Sequence, residues 1–309
     1  MTLLPLKFSP TDAAFSGFGF IRRHPGAVVA WGLVSLIYDL ATVSVIIAFF
    51  PHKLAMVDTF NQLGQDQPEQ MMALLPTVML MGLIRAMTQL VILSVVVSAA
   101  YRAQLRPDQR SIGYMRLGKD ELHMAGLFLL LAALALGYAF VIVFAYFTLA
   151  LLGAGLPSTI KLIYDIALLV IAAGFFFYPT VRLSLAAPMT LEDNHVRLLE
   201  SWKPTRGHTR RLAAAYLLAT LFAFVLFLII WVVVLIIAVV VLLATGHPIT
   251  NLNALFARDT SSLGAFLAPL SLVGAVLYAG GSAVSLAVLT APVAQAYKAL
   301  AQRPHATVH

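Results

Sequence analysis

Apolar positions along this chain run on without the short alternation of a strand or the one-sided stripe of a soluble helix. Six stretches, near 26–50, 73–101, 124–153, 159–181, 213–244 and 263–297, are dominated by Leu, Val, Ile, Ala and Phe. Each is long enough for a helix to cross a hydrocarbon core, which takes about 20 apolar residues. The pattern predicts an all-α polytopic membrane protein with six transmembrane helices. No Pro/Ser-rich linker or low-complexity stretch divides it, so residues 1–309 read as a single membrane domain, with 1–25 a cytoplasmic interfacial segment and 298–309 a cytoplasmic tail.

Between the spans, three polar segments carry a different signature: "SPTDAAFSGFGFIRRHP" at 9–25, "PDQRSIGYMRLGKDELH" at 107–123 and "TLEDNHVRLLESWKPTRGHTRR" at 190–211. In the first, Ser9 with Asp12 reads as a capping pair and Pro10 fits the first helical position, with Phe15, Phe18 and Ile21 on one face. In the second, Asp120 is placed to cap span three. In the third, Thr190 and Asp193 repeat the capping pattern, and Val196, Leu199 and Trp202 fall on one side. Apolar faces flanked by Arg and aromatic residues predict short helices lying in the headgroup layer. Each segment precedes a pair of spans, and "AAYRAQLRP" at 99–107 resembles "QAYKALAQRP" at 295–304. Three pseudo-repeated helix pairs inserted in one sense account for this; so does the general tendency of inward hairpins to end in basic, helix-capping sequence.

The spans differ among themselves. Span five, "LFAFVLFLIIWVVVLIIAVVVLL", is bulky on every side and suits contact with lipid. Span six repeats small residues at Ser271, Ala275, Ala279 and Ala283, beside Gly274, Ser282 and the pair Gly280–Gly281. Small residues every fourth position let backbones approach, which places span six inside the bundle or at a self-association seam.

Composition agrees with lipid as the solvent: 61% of the chain is apolar and 11% charged, more apolar surface than a soluble fold can hide. The net charge of +7 is unevenly placed. Sixteen of the twenty Lys and Arg fall in the N-terminal segment, the segments after spans two and four, and the C-terminal tail. Lys53, Lys161 and Arg258 lie on the other side and Arg85 lies within span two. Positive residues accumulate in cytoplasmic loops, so both termini of this multi-pass protein are expected in the cytoplasm. A long first span without a clean cleavage site predicts a retained anchor rather than a signal peptide. No basic-aromatic nucleic-acid motif occurs, so the expected partners are membrane lipids, a partner protein, or a second copy through span six. Cysteine is absent, which removes thiol chemistry.

Two ionisable groups lie deep in the apolar runs: Asp39 in span one and Arg85 in span two. Each is about 18 Å of helix from the same end of its span, so the two can meet. Insertion of either alone costs about 2.5–3.5 kcal/mol, and a contact at about 4 Å returns about 4 kcal/mol at an effective dielectric near 20. An Asp39–Arg85 pair is therefore expected, with Gln89, Ser35 and Thr42 extending a polar stripe. It reads either as a pair that sets helix register or as an intramembrane site for a transported ion, proton or headgroup. Lys161 and Asp165 are spaced for an i,i+4 pair near the end of span four.

Catalytic motifs are missing. The sequence has no H-E-x-x-H, phosphate-binding loop, G-x-S-x-G elbow or dinucleotide fingerprint. "STIK" at 158–161 formally matches a Ser–Lys acylase pattern but opens a transmembrane helix. His305 and His309 have metal-ligand spacing only in a terminal tail, and His195 and His208 suggest no defined chemistry beyond phosphate or proton binding. No metal or cofactor is expected. The basic set Arg22, Arg23, Arg206, Arg210 and Arg211 with Trp202 is the candidate surface for lipid headgroups or a partner.

The words "RLSLAAPMTLEDNHVRLLESWKPTRGHTRRLAAAYLL" before span five, with "YMRLGKDELH" at 114–123, resemble the six-span membrane domain of some bacterial glycerophosphodiester phosphodiesterases and related stand-alone inner-membrane proteins. Arg182, Ser184, Ser201, Trp202, Thr205, Arg206 and Gly207 are the matching positions. In the fused enzymes the resemblance implies a soluble catalytic domain after the membrane domain. None follows span six here, so a non-enzymatic role is expected, with transport as the alternative.

Overall fold

The computed structural model describes residues 9–49, 68–109, 111–244, 263–267 and 269–301. Among these there is no strand, and six helices are long and apolar enough to cross a membrane. In chain order the helices are α1 (Pro10–Arg23), α2 (Pro25–Phe49), α3 (Pro68–Leu105), α4 (Lys119–Leu152), α5 (Ser158–Leu183), α6 (Ala186–Asp193), α7 (Trp202–Thr205), α8 (Thr209–Ala244), α9 (Leu263–Phe266) and α10 (Pro269–Leu300). The spans are α2, α3, α4, α5, α8 and α10. At one end, α3, α4 and α8 run a turn or so past the apolar stretches, because polar residues there continue the helix and fold onto the bundle.

Helix α10 is the common axis. It packs against α1, α2, α3, α6 and α8, and Ala275, Ala279, Ala283, Ala287, Ala291 and Ala294 are buried along it. This is the inside position predicted from its small residues, and that face is taken up within the chain. Span five, α8, behaves as its composition predicts, with Leu217, Phe224, Ile229, Val232, Ile236 and Leu243 exposed.

The three sequential helix pairs do not pack alike. α4 lies against α5 and α8 against α10, whereas α2 and α3 barely touch and both lean on α10 instead. The likeness of 99–107 to 295–304 has a structural counterpart, since both end a span: Tyr101 and Tyr297 are buried, and Lys298 Nζ donates to the Gln104 carbonyl at 2.7 Å.

α1 begins as expected, with Ser9 Oγ accepting from Asp12 N at 3.4 Å and Pro10 leading the first turn. Its packing departs from a helix lying free in the headgroup layer. Ala13, Ala14, Gly17 and Phe20 are buried, and Gly17 sits so close to α10 that a Cβ there would be 2.5 Å from the Val288 Cα. Phe15 and Phe18 face away and meet Phe222 of α8; Ile21 turns inward against the core. The third polar segment also differs from the expected single amphipathic helix. Thr190 and Asp193 lie in the last turns of α6, which Asn194 ends in the left-handed conformation (φ 54°). The Thr190 hydroxyl accepts from Arg197 N at 3.1 Å, so it closes the following loop rather than opening a helix. Val196 packs inward while Leu199 is exposed, so these two do not share a face.

Burial is concentrated at the end of the bundle where α1, the starts of α2, α4 and α8, the ends of α3, α5 and α10, and α6 and α7 meet. Since most of the basic segments lie there, it is called the basic end. Three clusters fill it, one joining α1, α2, α3 and α10, a second α3, α4, α6 and α10, a third α5, α6, α8 and α10. Toward the opposite end the helices present mostly exposed apolar side chains.

Candidate functional site

Four polar arrangements were candidates for chemistry. The first is the turn after α3. Gly113 (φ 61°) and Tyr114 (φ 59°) are consecutive left-handed residues, rare for a bulky side chain. Their effect is to aim two carbonyls into the core. Gly113 O accepts from Trp31 Nε1 at 2.7 Å, and Tyr114 O accepts from Arg102 Nη1 at 2.7 Å. Trp31 is fully buried and stacks on Phe20, ring centroids 5.6 Å apart. Gly is required at 113, since a Cβ would come within 2.8 Å of Ala30 Cβ.

The second arrangement is a buried charge cluster at the start of α4. Arg102, 1% exposed, donates to Glu121 Oε1 at 2.6 Å and to Asp120 Oδ2 at 3.2 Å. Arg106 donates to Glu192 Oε1 at 3.2 Å and to the Leu191 and Glu192 carbonyls, and lies 3.9 Å from Asp120. The cluster thus ties α3 to α4 and α6. Asp120, expected as a cap, is instead a ligand for two arginines, and Gly118 occupies the cap position. Sequence reasoning missed this network because its basic members counted as loop charges. The signal available was the adjacent pair Asp120–Glu121 facing Arg102 and Arg106 across a short turn.

The third is the expected Asp39–Arg85 pair; no ion pair between these two side chains is found among the described residues. Ser35, Asp39 and Thr42 are half-buried on α2, while Arg85 and Gln89 are exposed on α3. The residues of α3 that face α2 are Ile84, Thr88, Val91 and Ile92, around clefts of about 300 and 680 Å³ between the two helices. α2 and α3 pack on α10 far more than on each other. Lys161 and Asp165 do pair, at 3.0 Å.

The fourth arrangement lies at one end of a cavity of about 790 Å³ between α4 and α5 on one side and α8 and α10 on the other. Its walls are apolar, with Leu131, Leu134, Phe176 and Val293 among them. Polar groups collect at its basic end: Ser184 Oγ and Tyr216 OH hydrogen-bond at 2.8 Å, and Trp202, Thr180 and Tyr101 line the same region. Under Trp202 lies Arg182, its guanidinium carbon 4.7 Å from the ring centroid. Ser201 and Thr205 donate their hydroxyls to the Arg182 carbonyl at 3.3 and 3.4 Å. Gly207 (φ 82°) then turns the chain into α8. Most residues of the Arg182 to Gly207 pattern therefore meet in one place.

Three charged side chains are buried among the described residues: Arg102, Glu121 and Arg182. The first two pair with each other at 2.6 Å, while Arg102 Nε and Glu121 Oε2 have no hydrogen-bond partner among the described residues. Arg182, 5% exposed, has no ion pair among the described residues and its Nε has no hydrogen-bond partner. Stacking on Trp202 supplies about 0.5–2 kcal/mol, whereas desolvating a charge costs several kcal/mol. Among the described residues no acidic group compensates this cation.

The predicted basic surface is present as exposed charge. Arg22, Arg23, Arg206, Arg210 and Arg211 are exposed and make no ion pair among the described residues; Arg23 Nε donates to the Gly19 carbonyl at 3.1 Å. Trp202 is 38% exposed beside them in sequence. Among the described residues no group of three His, Asp or Glu is arranged to hold a metal. In comparison with known proteins, no family model, curated protein or solved structure matches the chain.

Proposed function

We propose that this is a non-enzymatic, multi-pass inner-membrane protein whose basic end faces the cytoplasm and engages anionic lipid headgroups. One observation carries the reading. Asp120, Glu121, Glu192, Asp193 and Glu200 at this end are directed to Arg102, Arg106 and Arg197, while Arg22, Arg23, Arg206, Arg210 and Arg211 are exposed and in no ion pair among the described residues. Basic residues next to an anionic leaflet gain about 1 kcal/mol each, and the gain is screened by salt. The orientation follows from the same asymmetry of charge. The likeness to the membrane domain of glycerophosphodiester phosphodiesterases fits a role at lipid headgroups without a catalytic centre.

The test is thermal unfolding in detergent with added phosphatidylglycerol or phosphatidylcholine, at low and high salt. Phosphatidylglycerol should stabilise the wild type more, with the difference shrinking in salt, and changing the five arginines to Gln should abolish that difference. Equal stabilisation of both forms would defeat the reading, as would a face that responds only to a protein partner and ignores lipid charge.

A transporter is the second reading, favoured by the clefts between α2 and α3 in which Thr42 and Thr88 lie. Cysteines placed at those two positions should label from water if a path exists there.

A further inference from the structure

Helices α2 and α3 follow one another in the chain and barely touch. Between them run two clefts, of about 680 and 300 Å³, that share Thr88 in their linings. Both volumes fall in the range of about 300–1,000 Å³ typical of ligand sites. Along α3 the two extend from Val95 to Met81, about 21 Å of helix. A bilayer with its headgroups is about 40–45 Å thick, so this trough has the depth of one leaflet, from headgroup to chain end. Its walls are mostly apolar, and Val45 and Val91 in them are exposed. Hydrocarbon of the bilayer can enter it sideways.

The basic end of the trough carries a charge. There the turn after α3 contributes Ile112, Met115, Arg116 and Leu117 to the lining. Ile112 and Leu117 are 85% and 87% exposed, which suits apolar side chains dipping into the boundary between headgroups and acyl chains. Arg116, next to Leu117 and exposed, is thereby set at the level of the phosphates. Its side chain makes no ion pair or hydrogen bond among the described residues, and Asp120 and Glu121, the acids nearest to it in sequence, are taken by Arg102 and Arg106. The cavity of about 790 Å³ among α4, α5, α8 and α10, by contrast, has no charged residue in its lining. A lining cation at headgroup depth selects an anion, and the apolar run leading away from it selects hydrocarbon attached to that anion.

We propose that the trough between α2 and α3 holds a single anionic phospholipid, its phosphate at Arg116 and an acyl chain running past Val91 and Thr88 toward Met81. The proposal rests on the headgroup reading, since it takes lipid as the partner, but it names a place apart from the five exposed arginines. A lipid seated there also excludes the water path of the transporter reading.

In the test, protein extracted in mild detergent is exchanged into an equal mixture of phosphatidylglycerol and phosphatidylcholine, and the lipid retained per chain is counted by native mass spectrometry. The wild type should retain one phosphatidylglycerol. Arg116→Gln should lower the bound ratio of phosphatidylglycerol to phosphatidylcholine roughly tenfold, the worth of one charge-assisted contact, and Arg116→Lys should recover most of it. Val91→Trp, at an exposed position in the wall, should lose retained lipid of either kind. Should that variant fail to fold, Arg116→Gln decides the matter, because the Arg116 side chain makes no polar contact that folding needs. Changing the five surface arginines to Gln should leave the single phosphatidylglycerol in place while removing the salt-sensitive stabilisation, so the site and the surface can fail separately. The proposal is overturned if Arg116→Gln keeps the wild-type preference, if Val91→Trp keeps the lipid, if the five-arginine variant loses it, or if Thr88→Cys in a lipid membrane labels from water. A wild type that retains no lipid, or that carries a second chain or another protein in its place, overturns it as well.

Discussion

Arg102 and Arg85 belong to the same helix, yet the structure treats them oppositely. Arg102, at the basic end of α3, is buried and held by Glu121, Asp120 and the Tyr114 carbonyl. Arg85, farther along, is exposed and has no ion pair among the described residues. The contrast extends to everything around them. Near Arg102 the helices are joined by alanines, glycines and loops that fold back to supply acids and carbonyls. Around Arg85 they stand apart and offer apolar side chains to lipid. The comparison teaches that Arg102 is paired because the loops at its end deliver acids and a carbonyl, which the neighbouring spans around Arg85 do not.

The sharpest way to break this contrast is a pair of mutant cycles. Arg102→Met should cost about 3–5 kcal/mol of unfolding stability in detergent, since it leaves Glu121 buried without its partner. The double variant Arg102→Met/Glu121→Gln should lose clearly less than the sum of the two single changes. Strict additivity would show that the two side chains are not coupled.

The next effect concerns the close approach at the same end. Gly17→Ala places a methyl against the Val288 backbone, an overpacking worth about 1–3 kcal/mol. A lowered unfolding midpoint with unchanged helix content is the expected result; an unchanged midpoint would mean that α1 is not seated on α10.

The smallest effect is expected away from the basic end. In a cycle of Asp39→Asn and Arg85→Gln, the two changes should add within about 0.5 kcal/mol, because the side chains lie on helices that barely touch. A coupling as large as that of Arg102 with Glu121 would restore the pair that their common depth suggested.

These cases also mark how far the sequence could be read. The six spans were legible because apolar length alone decides whether a helix can cross a bilayer. The interior place of α10 was legible from alanines spaced every fourth residue, and the lipid-facing character of α8 from bulky residues on all sides. The cap at Ser9 was legible because it is local. The network around Arg102 was not, since it depends on a turn of two left-handed residues and on α6 folding back to bring Glu192 to Arg106. The exposure of the basic residues was half legible: Arg22, Arg23, Arg206, Arg210 and Arg211 are exposed as expected, but Arg102, Arg106, Arg182 and Arg197 from the same basic segments are buried or paired within the chain.

By itself the sequence determined what each helix is: its approximate length and the solvent its faces tolerate. These follow from transfer energies summed residue by residue, which need no knowledge of neighbours. Only the tertiary structure decided which side of each helix meets which other. That choice gathered acids around Arg102 and left Arg182 buried against the Trp202 ring. Rotation about a helix axis changes contacts between helices while leaving hydropathy the same, so it is settled by packing against α10.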